Sequence, residues 1–161
     1  MFEIVEELGA APDAFYLPYG GGGNTNAYGQ GLDELGVASR LVAAEAADRG
    51  HTLASAIRIS KPVHAPDVSE AIQRTEGEIV AVTDEEVVAA WQDLARTEGL
   101  FCEPASAAGL VALARDRPER GSTVVCVITG HGLKDPMTAE RMSPPSIQVD
   151  PDPDAIAAAT G

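Results

Sequence analysis

Lysine is nearly missing from this chain: Lys61 and Lys134 are the only two in 161 residues. Arginine does not make up the difference, and 25 acidic against 11 basic side chains leave a net charge of −14. Binding to a nucleic-acid backbone runs on clustered Lys and Arg, so this balance argues against nucleic acid as a partner. Aromatics are also scarce at 4%, and Ala, Val and Gly must do most of the filling of the core. Cysteine occurs twice, at Cys102 and Cys126, far apart and with no CxxC or metal-like spacing. Each lies in an apolar stretch and reads as a buried free thiol. A disulfide would need an oxidising compartment that nothing else suggests. The histidines His51, His64 and His131 are scattered, so no zinc site is expected. No apolar run approaches the ~20 residues of a membrane span, and no charged-then-apolar leader opens the chain. The cytoplasm is the expected location.

What is present suits one soluble domain with a real core, since 45% of residues are hydrophobic and 22% charged. Phe2 to Leu8 has apolar residues at helical spacing and a stop at Gly9, but no N-cap residue before it. It reads as the second half of a helix. Ala14 to Tyr19 is a short apolar strand that runs into glycines. Asn26 to Leu35 reads as a helix closed by Gly36, although Gly29 and Gly31 weaken it by ~1 kcal/mol each if they lie inside. Leu41 to Ala44 suggests a second buried strand, and Leu53 to Ile59 a packed helix. Pro66-Asp67 leads a helix to about Thr75, and Glu78 to Val82 is a strand. Thr83 and Glu86 form a capping box for a helix from Asp84 to about Thr97, with Val87, Val88, Trp91 and Leu94 on one face. Leu100 to Cys102 is a short turn or strand, and Pro104 begins an Ala-rich helix to about Arg115. Ser122 to Ile128 is β-branched and uncharged, which predicts a strand buried on both faces. The segment 143–161 is Pro- and Asp-rich and reads as a loose tail with one short helix near Ala155. Strands alternating with helices predict an α/β fold in three layers, a mostly parallel sheet with flanking helices.

The segment Pro18-Tyr19-Gly20-Gly21-Gly22-Gly23-Asn24-Thr25 joins a strand to a helix. Glycines let the backbone come close to a ligand and turn N–H groups inward, and the helix adds its positive end. Asn24 and Thr25 add side-chain donors at the helix start. The plain alternative is a glycine-rich hinge. A nucleotide P-loop is excluded, because Asn24-Thr25 stand where GK[ST] is needed. The dinucleotide pattern GxGxxG fails from either Gly20 or Gly21. A single phosphate monoester fits best.

This loop, the stretch Phe101-Cys102-Glu103-Pro104-Ala105-Ser106-Ala107-Ala108 and the stretch Val127-Ile128-Thr129-Gly130-His131-Gly132-Leu133-Lys134-Asp135-Pro136 follow in that order. Together they resemble the C-terminal half of threonine synthase, a pyridoxal 5'-phosphate enzyme of fold type II. The likeness runs from Phe2 to Asp135. It implies that 1–142 is the C-terminal part of a fold type II large domain whose N-terminal part is absent. It further implies that Gly20, Gly21, Gly22, Gly23 and Asn24 cradle the cofactor phosphate and that Thr129 meets the pyridine nitrogen. The family often has Gly-Asn-Ala-Gly-Asn in the loop, so Gly21 and Gly22 depart from it. Glu103 and Ser106 resemble residues near the cofactor, while Ser106 also reads as plain helix capping. Arg58 is a candidate anchor for the substrate's carboxylate or phosphate, or else the partner of a structural acid. Lys134 reads as structural, one half of a local pair with Asp135.

The activity so implied is that of a carbon–oxygen lyase acting on phosphates, which turns O-phospho-L-homoserine and water into L-threonine and phosphate. Its substrate is a phosphorylated amino acid, and a homodimer is one assembly it allows. Neither lysine lies in anything like the Ser-Phe-Lys-Asp segment that carries the family's Schiff-base lysine. No catalytic residue is therefore expected in this chain. A missing N-terminal half or complementary chain becomes the expected partner, and the isolated chain is expected to be inactive. The alternatives are a threonine or serine dehydratase, a non-catalytic domain for a phosphorylated ligand, and a truncated product with no stable fold.

Overall fold

Ala14-Phe15-Tyr16-Leu17-Pro18 carries no charge, and all five residues are buried in the central strand β1 (Ala14–Pro18). A strand apolar on both faces is what a parallel sheet covered on both sides requires. The structure is a computed structural model that describes residues 1–143 and 145–160. In it β1 pairs in parallel with β2 (Arg40–Ala46) on one side and with β4 (Val124–Cys126) on the other. β2 pairs in parallel with β3 (Glu78–Val82), giving the order β3-β2-β1-β4.

Alternate residues of β1 and β2 face opposite layers. Phe15, Leu17, Leu41 and Ala43 pack against Tyr28 and Leu32 of α2 (Gly23–Leu35) and Val68, Ala71 and Ile72 of α3 (Ala65–Arg74). Met1 and Ile4, at α1 (Phe2–Leu8), lean on the same layer. On the other face Tyr16, Val42 and Ala44 pack with Val87 of α4 (Asp84–Glu98) and with Ala108, Val111 and Ala112 of α5 (Ala108–Asp116). The three expected layers are therefore present. Full burial of Phe15 or Leu17 contributes about 1.5–3 kcal/mol each, so this few-aromatic core is adequate. Its small side chains permit close approach: a Cβ on Gly109 of α5 would lie 3.1 Å from the carbonyl oxygen of Tyr16. The Tyr16 hydroxyl donates to Asp116 at 2.5 Å, and Arg40 pairs with the same carboxylate.

Three expectations need correction. Leu53 to Ile59 is not a helix but a single 3-10 turn at Ser55–Ile57. The Asp84 carboxylate takes the Thr52 hydroxyl and the Leu53 N–H, the latter at 2.8 Å, which pins this segment to the start of α4, and its later N–H groups make only short-range bonds such as Ile57 N–H to the Ala54 carbonyl. The strand expected over Ser122 to Ile128 is only Val124–Cys126, and its residues are half-buried because β4 lies at the sheet's edge. The helix expected from Asn26 starts earlier, at Gly23, which brings Asn24 and Thr25 into its first turn. The capping box is as expected: Thr83 N–H donates to Glu86 at 2.9 Å and Glu86 N–H to Thr83 at 3.3 Å. The Ala-rich helix opens as a 3-10 turn at Pro104–Ala107 before α5. After a further 3-10 turn at Gly132–Lys134 come α6 (Pro136–Met142) and α7 (Pro153–Thr160), the short helix expected near Ala155. Pro144 and Gly161, within the segment read as a loose tail, lie outside the described residues. Among the described residues no helix is long and apolar enough to cross a membrane.

Candidate functional site

After β1 the chain builds β2 and β3 outward on one side, whereas β4 lies on the other. The strand order thus reverses between β1 and β4, and open α/β sheets hold ligands beyond the carboxyl ends of their strands at such a point. A cavity of about 420 Å³ lies there, between the glycine loop after β1 and the Val127–Thr129 segment after β4. That volume is within the ~300–1,000 Å³ usual for small-molecule sites.

Gly20, Gly21, Gly22, Gly23 and Asn24 form one wall. Their carbonyl oxygens are engaged from outside the cavity. Gly20 O accepts from Arg49 Nη1 at 3.2 Å, Gly21 O from the His64 N–H at 3.1 Å, and Gly22 O from the Asn26 N–H at 2.9 Å. Among the described residues the backbone N–H groups of residues 20 to 25 have no acceptor. Unengaged N–H groups beside the positive end of a helix make a receptor for an oxyanion. Gly22, the N-cap of α2, has φ +93°, and a Cβ there would lie 2.8 Å from Val68 Cγ2. A Cβ on Gly20 would lie 2.7 Å from the Ala56 carbonyl oxygen. At Gly21 and Gly23 the nearest atoms would be 3.6 and 3.8 Å away. Thr25 does not join the wall: its hydroxyl is buried without a partner among the described residues, away from the cavity lining.

Arg49 was not singled out in the sequence. Besides Gly20 it donates to the Ile59 carbonyl at 3.2 Å and to Glu45, and its guanidinium lies 4.3 Å from the centre of the Tyr19 ring. It ties the glycine loop to the segment after β2. No local motif announces it, because its carbonyl acceptors belong to distant residues.

The facing wall is formed by Glu103, Thr129 and Lys134. Glu103 is 3% exposed, and Lys134 Nζ donates to its carboxylate at 2.8 Å. Lys134 therefore pairs with Glu103 across two segments, not with the neighbouring Asp135, which caps α6 through Thr138. A carboxylate this buried requires such a partner. Gly130 makes room for it, since any Cβ at 130 would strike the Glu103 side chain. Ser106 is fully buried behind Thr129 and hydrogen-bonds across to its hydroxyl and to Gly130 N–H. It therefore joins two strands of chain and does more than cap a helix. Arg58 is exposed and outside the cavity lining, with neither an acid partner among the described residues nor a place at the site. Lys61 is also exposed and outside it.

Both cysteines are free. Cys102 is buried and Cys126 half-buried, and burial raises both thiols above their ordinary range, Cys126 to about 12. Burial of this kind disfavours the thiolate, the nucleophilic form.

A fold, a loop and a cavity of this kind define a cofactor-holding α/β domain. The family model described as pyridoxal-phosphate dependent enzyme matches residues 1–130, and the chain belongs to that family. Within it, the chain is similar to threonine synthases. It is 42% identical to the enzyme of Mycobacterium bovis over 96% of this chain and 49% of that one. The Synechocystis enzyme is 39% identical, over 99% of this chain and 47% of that one. The chain spans about half the length of the curated relatives it matches. Among solved structures, O-acetyl serine sulfhydrylase isoform 3 from Entamoeba histolytica superposes with a TM-score of 0.75. That match is 17% identical and covers 91% of this chain and 46% of the other. A threonine deaminase from T.th. gives a TM-score of 0.62 at 20% identity, over 81% of this chain and 53% of that one. These two likenesses bear on the fold alone. The N–H row and the cavity fit the cofactor that the family uses, whose single phosphate needs donors and no base.

Proposed function

We propose that this chain forms the cofactor-phosphate and ring-nitrogen side of a threonine synthase, acting on O-phospho-L-homoserine and water to give L-threonine and phosphate. One observation carries the reading: the glycine loop and Thr129, distant in sequence, line one cavity at the reversal of strand order. The similarity to threonine synthases favours that activity over a dehydratase and over a non-catalytic phosphate-binding domain.

Pyridoxal phosphate, when bound, supplies an electron sink that acidifies carbons of the amino-acid substrate. The N–H groups of Gly20 to Asn24 hold its phosphate, with the positive end of α2 behind them. Thr129 meets the ring nitrogen with a neutral hydroxyl, which does not force that nitrogen to carry a proton as a carboxylate would. Glu103 and Lys134 close the opposite side as a neutralised pair. The lysine that anchors the cofactor belongs, in this reading, to the remainder of the enzyme, and the assembly is cytoplasmic.

Co-expression with a chain that supplies the N-terminal half of a threonine synthase tests the proposal. The expected result is release of phosphate and formation of threonine from O-phospho-L-homoserine. Ammonia formed from threonine or serine, with no turnover of phosphohomoserine, moves the reading to a dehydratase. Cofactor binding without turnover of either supports a non-catalytic domain.

A further inference from the structure

The direction of one hydrogen bond behind Thr129 can be worked out from the groups around it. Ser106 Oγ accepts the Gly130 N–H at 2.8 Å and lies 3.0 Å from Thr129 Oγ1. Among the described residues its only other acceptor within hydrogen-bond reach is the Gly130 carbonyl oxygen at 3.5 Å. That carbonyl already takes the Glu103 N–H at 2.9 Å. A serine hydroxyl has one proton to give, and a hydroxyl donor at 3.5 Å is far outside the usual 2.5–3.0 Å for O–H···O. The Ser106 proton therefore goes to Thr129, the nearer acceptor. Were the bond to run the other way, a fully buried hydroxyl proton would be left with only an over-long contact to a carbonyl, an arrangement that buried polar groups avoid.

We infer that Ser106 is a positioning residue that makes Thr129 a donor toward the cavity. Thr129 accepts from Ser106, so its own proton is free for the ligand atom it faces. Ser106 is fully buried and does not line the cavity, so it acts only through Thr129. On the reading that Thr129 meets the ring nitrogen, this direction selects an acceptor, the unprotonated pyridine nitrogen. The neutral character of the site is then set one residue behind the one that touches the ring.

The test loads the full chain, together with its complementary half, with pyridoxal phosphate labelled with nitrogen-15 in the ring, and reads the nitrogen resonance. The parent is expected at the position of an unprotonated, hydrogen-bonded pyridine. Ser106→Ala, which frees Thr129 to accept, is expected to shift the resonance toward the protonated form and to raise the pH at which the nitrogen titrates. Ser106→Thr, which keeps a hydroxyl, restores the parental resonance. Should Ser106→Ala fail to fold, Ser106→Cys keeps the volume with a much weaker donor and carries the same expectation. Without cofactor, Gly130 amide exchange is expected to speed up at least tenfold in Ser106→Ala, and unchanged protection overturns the inference. A resonance that moves in Thr129→Val but not in Ser106→Ala also overturns it while leaving the site reading intact. A resonance indifferent to Thr129→Val, or no binding at millimolar cofactor, overturns the site reading and the inference with it.

Discussion

The glycines of the loop divide into two kinds, and substitution separates them. In this chain's packing Gly20 and Gly22 leave no room for a side chain, because a methyl group at either meets packed atoms under 3 Å away, although the family often carries Ala at the second of these positions. Gly22 adds a left-handed φ that side chains adopt only with strain. Gly22→Ala is therefore expected to lose about 1–3 kcal/mol of stability, measured by urea unfolding. Gly21→Ala is expected to unfold within about 0.5 kcal/mol of the parent, because its Cβ has room. A weakened affinity of Gly21→Ala for pyridoxal phosphate, read by fluorescence titration, would tie that room to the ligand; an affinity equal to the parent's would show that the loop takes phosphate through its backbone with the Gly21 side-chain position clear of it. A steric need for glycine was legible at this scale in the run between an apolar strand and a helix, and Gly20 and Gly22 show it. Arg49 and the Glu103–Lys134 pair were not legible. Their partners are main-chain oxygens or a carboxylate many residues away, and spacing along the chain carries no trace of them.

Among the elements, those with local causes were read well. The capping box at Thr83 and Glu86 is a four-residue pattern, and both of its hydrogen bonds form. Thr83→Ala is expected to cost about 0.5–2 kcal/mol, visible as a lower urea midpoint with an unchanged slope. An unchanged midpoint would mean that α4 is held by packing of Val87, Trp91 and Leu94 alone. Elements with distant causes were misread. The apolar run Leu53 to Ile59 looks helical, yet its ends are tied to distant groups, Leu53 N–H to Asp84 and the Ile59 carbonyl to Arg49. Val124 to Cys126 looks like an interior strand by composition, and its edge position follows only from the order of the sheet.

At the scale of the whole molecule, the Tyr16, Arg40 and Asp116 cluster joins two strands and α5 and should govern how stability responds to pH. The Tyr16 hydroxyl and the Arg40 guanidinium hold the Asp116 carboxyl below the ordinary carboxylate range. A depressed folded value stabilises above the unfolded pKa of about 3.9 and is lost as pH falls through the folded one. Burial and Asp116 hold Tyr16 above its ordinary range. That stabilisation is complete below about pH 10 and is lost as pH rises toward the folded value. Denaturation midpoints measured against pH are therefore expected to fall at both ends. Asp116→Asn should flatten the acid limb. Tyr16→Phe should flatten part of the alkaline limb, with Cys126, Cys102 and Tyr28, each raised by burial, keeping the rest. An acid limb equally steep in Asp116→Asn would assign acid sensitivity to other carboxylates of this acidic chain. The three-layer architecture was legible because strands and helices alternate; the cluster that ties its layers was not, since its members lie up to 100 positions apart.

Two consecutive peptide planes of the loop are held by their oxygens, one by the Arg49 guanidinium and the next by the His64 amide. A hydrogen bond to its oxygen opposes the half-turn flip to which a glycine-rich plane is prone, by about 0.5–1.5 kcal/mol. Such a flip would present carbonyl oxygens to the cavity and turn a receptor for anions into one for cations. On the proposed reading, two groups outside the loop thus favour its taking an anion over a cation. On the same reading, the loop takes an anion without first rearranging its backbone.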